Sequence, residues 1–102
     1  MKLEGITLLE KEVEKHLRKQ IKNRLGGLAL KFVSPGLNGV PDRIVLLPGA
    51  RIIFVETKAP AKKLRKLQEH VCGLIAALGF DFRCIDTVEK VDSFIQEMEG
   101  EP

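Results

Sequence analysis

Two carboxylates and a lysine stand where the chain could bring them together. Asp42 comes first, and fourteen positions later follows Glu56-Thr57-Lys58. Along Arg51-Ile52-Ile53-Phe54-Val55-Glu56-Thr57-Lys58, strand alternation puts Ile52, Phe54, Glu56 and Lys58 on one face. Ile53, Val55 and Thr57 take the other face. Glu56 and Lys58 thus project side by side at the end of an otherwise apolar strand. Asp42 opens the strand before it, and Pro41 holds Val40 extended and removes one backbone donor. If the two strands pair as a hairpin, Asp42 and Glu56 lie at the same end. Facing carboxylates repel unless a cation sits between them. Hard oxygen ligands, with waters completing the shell, suit Mg²⁺ or Mn²⁺. Lys58 would serve charge developing on a phosphate, or an attacking water. Taken singly, Glu-x-Lys is a strand-end ion pair worth ~0–1 kcal/mol, and Pro-Asp is a turn. Joined by one hairpin, they read as a metal-dependent nuclease site.

A helix must supply any third carboxylate. Thr7-x-x-Glu10 has the form of a capping box, so a helix is expected to start near Thr7. Leu9, Val13, Leu17, Ile21 and Leu25 form its apolar stripe, and Gly26-Gly27 ends it. Glu10 and Glu14 fall within or beside the arc of Val13, Leu17 and Ile21, whereas Glu12 falls outside it. A carboxylate in a buried stripe is costly unless paired or bound to metal. Glu10 is also explained by the capping box, and Glu14 by pairing with Lys15 or Arg18, so both stay in view.

The remaining elements follow from periodicity and turn residues. Leu28–Val33 reads as a short strand, and Ser34–Gly39 as a loop. Arg43–Leu47 and Arg51–Thr57 are strands joined by a turn at Pro48-Gly49-Ala50. Lys62–Leu78 has a helical pattern with Leu64, Leu67, Val71, Leu74, Ile75 and Leu78 apolar, and Gly79 caps it. Phe80–Ile85 is a further strand, and Thr87 opens a last helix through Val88, Val91, Phe94 and Ile95. The order α-β-β-β-α-β-α is an α/β fold, a small mixed sheet flanked by helices.

A chain of 102 residues suits one domain and leaves no room for a second. No apolar run approaches the roughly 20 residues that span a bilayer, and the N-terminus lacks a signal-peptide segment. A soluble, cytoplasmic protein without membrane attachment is expected. Cys72 and Cys84 are too few for a disulfide framework and have no zinc-ligand spacing with His16 or His70; both are expected in the core. The net charge of +3 is unevenly spread: residues 86–102 carry −5, and residues 1–85 carry +8. One basic cluster is Lys15, Arg18, Lys19, Lys22 and Arg24; the other is Lys58, Lys62, Lys63, Arg65 and Lys66. Both could attract a phosphate backbone, although charge alone favours two solvated helix faces. The acidic C-terminal helix also reads as a solvated face. Without Trp or Tyr, a binder that stacks single-stranded bases on aromatics is disfavoured.

These residues resemble the PD-(D/E)XK nuclease superfamily, and more closely its VRR-NUC branch. The resemblance covers the Glu-bearing first helix, Gly26-Gly27 and Lys31-Phe32-Val33-Ser34-Pro35-Gly36. It continues through Gly39-Val40-Pro41-Asp42-Arg43, Phe54-Val55-Glu56-Thr57-Lys58-Ala59-Pro60, and Gln68. It implies a restriction-endonuclease-like fold. Asp42 and Glu56 would be metal ligands, Lys58 the catalytic lysine, and Glu10 or Glu14 the helix glutamate. Gln68 would be the auxiliary glutamine. Thr57 replaces the family's usual aliphatic residue, and its backbone carbonyl would still reach the Mg²⁺ or Mn²⁺. Lys62, Lys63, Arg65 and Lys66 would hold DNA backbone, with Lys31, Ser34 and Arg43 as weaker contacts. Stand-alone members of this size, from phages and bacteria, are similar to homodimeric Holliday-junction resolvases, which implies branched DNA and a homodimer acting in a bacterial cell or a phage-infected host. Other DNA, such as a flap, a nicked strand or plain duplex, would use the same residues. A DNA-binding module that does not cut would have no need of clustered carboxylates.

Overall fold

The structure, a computed structural model, describes residues 2–3, 6–60 and 62–100. A short antiparallel hairpin, β1 (Lys2–Leu3) and β2 (Ile6–Thr7), precedes helix α1 (Leu8–Leu25). Strands β3 (Leu28–Lys31), β4 (Arg43–Leu47) and β5 (Arg51–Thr57) then form an antiparallel meander. Helix α2 (Lys66–Ala77) crosses over to β6 (Asp81–Ile85), which runs parallel to β5, and α3 (Val88–Glu99) follows. The sheet order is β3-β4-β5-β6. From α1 onward the order is the expected α-β-β-β-α-β-α, and the leading hairpin is an addition to it.

The core lies on one face of the sheet. Val13, Leu17 and Ile21 of α1 are at most 2% exposed, packed with Val45, Val55, Ile85, Val91 and Ile95. Leu9, placed in that stripe by its spacing, is instead 54% exposed, and Leu25 is only half-buried. The cause is geometric. A strict four-residue repeat drifts about 40° per step around a helix, so the ends of a five-member stripe rotate off the core. The Thr7 side chain, on which the capping box rests, lies outside the described residues.

Gly26, with φ +65°, ends α1 in a left-handed turn that lets the Gly27 N–H donate to the Ile21 carbonyl at 3.0 Å. A Cβ on Gly27 would stand 2.4 Å from the Leu46 carbonyl oxygen and 2.7 Å from the Leu47 side chain. Because strand backbone cannot yield as a flexible side chain can, Gly27→Ala is expected to cost about 2–3 kcal/mol. Thermal unfolding should then show a midpoint lowered by roughly 10–20 °C. An unchanged midpoint would mean that β4 and α1 are not clamped at this point.

On the other face α2 covers the sheet only in part. Val71 and Cys72 are buried, but Leu67, Leu74 and Leu78 remain at least 49% exposed. Phe54 meets Phe32 and, edge-on, Phe80 at centroid distances of 6.0 and 5.8 Å. An open apolar groove of about 370 Å³ runs between Leu37, Phe54, Val71, Leu74, Leu78 and Phe80. Two further expectations are corrected on this face and its edge. α2 begins at Lys66 and not at Lys62, because the Gln68 side chain accepts from the Arg65 N–H and caps the helix there. Cys84 is exposed, since β6 is an edge strand and α3 leaves that part of it open.

Asp92, Glu97 and Glu99 of α3 stay substantially exposed, and each also pairs with a residue of a neighbouring element. Asp92 contacts His16 at 2.6 Å, Glu99 pairs with Arg24 at 2.6 Å, and Glu97 pairs with Arg83 at 2.6 Å. Arg83 also binds Asp81 at 2.7 Å, and its guanidinium lies 5.5 Å from the centre of the Phe94 ring. These pairs fasten α3 to α1 and β6. No described helix is long and apolar enough to cross a membrane.

Candidate active site

The β4–β5 register matches Arg43 with Val55, so the next pair along is Asp42 with Glu56. At this frayed end of the hairpin the two carboxylates are tied through each other's strand. The Asp42 N–H donates to Glu56 Oε1 at 3.1 Å, and the Thr57 N–H donates to Asp42 Oδ1 at 3.1 Å. The Thr57 hydroxyl donates to Asp42 Oδ2 at 2.7 Å and lies 3.4 Å from Glu14 Oε1. On the α2 side, Gln68 Nε2 donates to Glu56 Oε2 at 3.1 Å, while its Oε1 caps α2. Lys58 Nζ lies 3.3 Å from the same Glu56 oxygen. Gly39 sets this approach: it has φ +89°, and a Cβ there would stand 2.8 Å from the Leu67 side chain. That close contact seats the Val40-Pro41-Asp42 segment against the start of α2.

Both helix glutamates reach the cluster, from different sides. Glu14 stands beside Thr57 and Asp42, and its Oε2 is 3.6 Å from the Arg43 guanidinium. Glu10 interacts with Lys58, Glu14 and Glu56, and accepts a hydrogen bond from the Ala59 backbone. Burial raises the Glu10 carboxyl above its ordinary value, against the opposing pull of Lys58. Asp42 is pushed up to about 7, chiefly by burial and further by the charge of Glu56, although the Thr57 hydroxyl and N–H oppose the shift.

Among the described residues, four carboxylates therefore meet two cations, Arg43 and Lys58, an excess of two formal negative charges. A divalent cation is the natural counter-charge for that surplus. Among the described residues, no three His, Cys, Asp or Glu side chains form a ready ligand cage. A hard cation of the Mg²⁺ type needs only one or two carboxylates, with waters and substrate phosphates filling the remaining positions. The Asp42 and Glu56 carboxylates and the Thr57 carbonyl have the donor chemistry for it.

Other residues singled out from the sequence lie around this centre. Lys62, Lys63, Arg65 and Lys66 are exposed on the segment leading into α2, and Lys31 is exposed at the end of β3. Ser34 is half-buried. Arg43 is not free for an external partner in the same way: it is drawn inward to Glu14, and it donates to the Ala29 carbonyl at 3.3 Å. Strand parity carries the signal for that placement, because Arg43 shares the core-facing side of β4 with Val45 and Leu47. The hydroxyl of Thr57 also has a part that sequence reading did not give it. A hydroxyl on a buried strand position needs a partner, and here the partners are Asp42 and Glu14.

No family model matches the chain. "Putative nuclease p44" of Acyrthosiphon pisum secondary endosymbiont phage 1 is 46% identical over 78 residues, covering 76% of this chain and 83% of that protein. A solved structure named "VRR_NUC domain" superposes with a TM-score of 0.80 at 30% identity, over 85% of this chain and 94% of that one.

Proposed function

The chain belongs to the VRR_NUC domain family of PD-(D/E)XK nucleases, and on that premise we propose that it is a Mg²⁺- or Mn²⁺-dependent DNA endonuclease. Its proposed substrate is branched DNA, with the four-way junction first in order, and residues 1–102 act as one nuclease domain. The observation that carries the reading is the junction of Asp42, Glu56 and Lys58 at one hairpin end, with Gln68 and two helix glutamates closing around it.

Asp42 and Glu56, with the Thr57 carbonyl, would hold the metal. When bound, the cation supplies Lewis-acid stabilisation of charge on the phosphate. The side chains of this chain do the rest. Gln68 holds the Glu56 carboxylate in one orientation by donating to Oε2. Thr57 does the same for Asp42. Lys58, fixed against Glu56, presents a positive charge to the scissile phosphate and can take or give a proton at the attacking water. Glu14 belongs to the metal side by its nearness to Asp42, and Glu10 to the lysine side. The exposed Lys62, Lys63, Arg65 and Lys66 hold DNA backbone just past the catalytic strand, with Lys31 and Ser34 as lesser contacts.

A homodimer fits this activity, because a four-way junction needs two symmetric incisions and a C₂ pair provides them. The uncovered apolar groove beside α2 is the surface that a second copy would bury. Bacterial or phage-infected cytoplasm is the proposed site of action.

The test is incubation of the purified protein with labelled four-way junction, flap, nicked, duplex and single-stranded DNA, each with Mg²⁺, Mn²⁺ or chelator. Paired, metal-dependent incisions on the junction, together with a sedimentation mass of two chains, are expected. Cutting confined to flap, nicked or plain duplex DNA would keep the site and discard the junction. Binding without cutting under every condition would overturn the enzyme reading.

A further inference from the structure

A second cationic surface bears on how the substrate of this nuclease site is held, and its meaning rests on that reading. Lys11, Lys15, Arg18 and Lys22 recur at intervals of four, three and four along α1. At about 100° per residue they line one stripe, with Lys19 at its edge. All five are exposed, and among the described residues no ion pair engages any of them. Most acids within reach are committed elsewhere, with the exposed Glu12 beside Lys15 and Lys19 the exception. Glu14 turns inward to Thr57 and Arg43, while Asp92, Glu97 and Glu99 go to His16, Arg83 and Arg24. Glu12 borders the stripe, beyond Lys19.

Like charges one helical turn apart repel, so a stripe of five cations with only Glu12 beside it favours an external polyanion. From Lys11 to Lys22 the helix rises roughly 16 Å, over which one strand of a duplex carries about five phosphates. A membrane surface is a poor match, because the apolar side that would enter lipid is already buried in the core. Position sharpens the argument. The stripe borders the edge of α1 that presents Glu14 to Asp42, on the core side of the sheet. The other cationic tract, Lys62 to Lys66, leads into α2 on the opposite side, where Gln68 reaches Glu56. The two tracts therefore flank the carboxylate cluster from opposite sides of the sheet, an arrangement that suits two stiff duplex segments leaving the site in different directions. Two arms diverging from a branch are such segments. We infer that the outer stripe of α1 is a second DNA-binding surface, taking the backbone of a duplex arm other than the one being cut.

The test compares the natural protein with the triple variant Lys15→Gln, Arg18→Gln, Lys22→Gln. Binding to a labelled four-way junction and to a short duplex of one arm's length is measured by fluorescence anisotropy over a range of salt, in chelator. On the junction the slope of log affinity against log salt should fall by roughly 2–3, with about tenfold weaker binding at physiological salt. The short duplex should change far less, and the thermal midpoint should stay the same. Cleavage of the junction at saturating protein should remain within about twofold in Mn²⁺, since the variant spares Asp42, Glu56 and Lys58. An unchanged slope overturns the proposal and makes the stripe a solvated face. Equal losses on junction and duplex overturn the second-arm assignment. Binding is read where no cutting occurs, so a protein that binds with full slope yet never cuts would sink the nuclease reading alone.

Discussion

Glu56→Gln should slow DNA cleavage by about three orders of magnitude or more while leaving DNA binding intact or tighter. Glutamine preserves the volume at a position only 6% exposed, and its amide can still accept from the Asp42 N–H. What it removes is the negative charge that meets Lys58 and would bind the cation. Removing a negative charge from a surface that meets phosphate cannot weaken the electrostatic part of binding. Lys58→Ala should be comparably inactive, because it leaves the carboxylates in place and takes away the cation beside them. Gln68→Ala should lose only about 10–100-fold, the usual scale for a group that orients a ligand from behind. The measurement is single-turnover cleavage in Mn²⁺, with anisotropy in chelator as the binding control. Equal, mild losses in all three variants would mean that Asp42 and Glu56 are not the reacting centre.

Much of this arrangement is legible in the residue pattern itself. Hairpin strands β4 and β5 end where β-branched alternation and the Pro48-Gly49-Ala50 turn say they should, so Asp42 and Glu56 are expected at the same end of the two strands, and the register makes them neighbours there. Thr87 caps α3 as its type suggests, accepting from the Lys90 N–H at 3.0 Å. Harder to read were features decided by what lies across space. An apolar repeat names a side of a helix but not whether anything covers it, and so Leu67, Leu74 and Leu78 proved exposed. The pairs that absorb the C-terminal acids join residues as far apart as Arg24 and Glu99, and no local pattern announces them. Glu10 and Glu14 could not be separated by a helical wheel because both do face the site. Only the positions of Thr57 and Lys58 divide their surroundings. The start of α2 is hidden for a related reason: its cap is supplied by Gln68, a residue three positions past Arg65.

Asp42→Asn should make the metal-free protein more stable above neutral pH at the same time as it abolishes cutting. The native Asp42 carboxyl is pushed up to about 7, from an ordinary value of 3.8, with burial as the chief cause. Below about 4 both the folded and unfolded chains hold this proton, and above about 7 neither does. Between those limits the folded chain binds more protons, so its stability falls as pH rises, by up to a few kcal/mol in all. Glu10, also raised by burial, adds to the same trend. Asparagine cannot ionise, so its melting temperature at pH 8 in chelator should exceed that of the natural protein by roughly 5–10 °C. At pH 4 the two should converge. A divalent cation offers the natural protein the same relief by another route: Mn²⁺ should raise its melting temperature at pH 8 and do little for Asp42→Asn. Parallel pH–stability curves for the two proteins would remove Asp42 as the source of the strain. A difference that closes with either acid or metal would show that the carboxylate cluster is held together against its own charge. On the proposed function, the fold would tolerate that cost because the surplus charge would recruit the cation used in cutting.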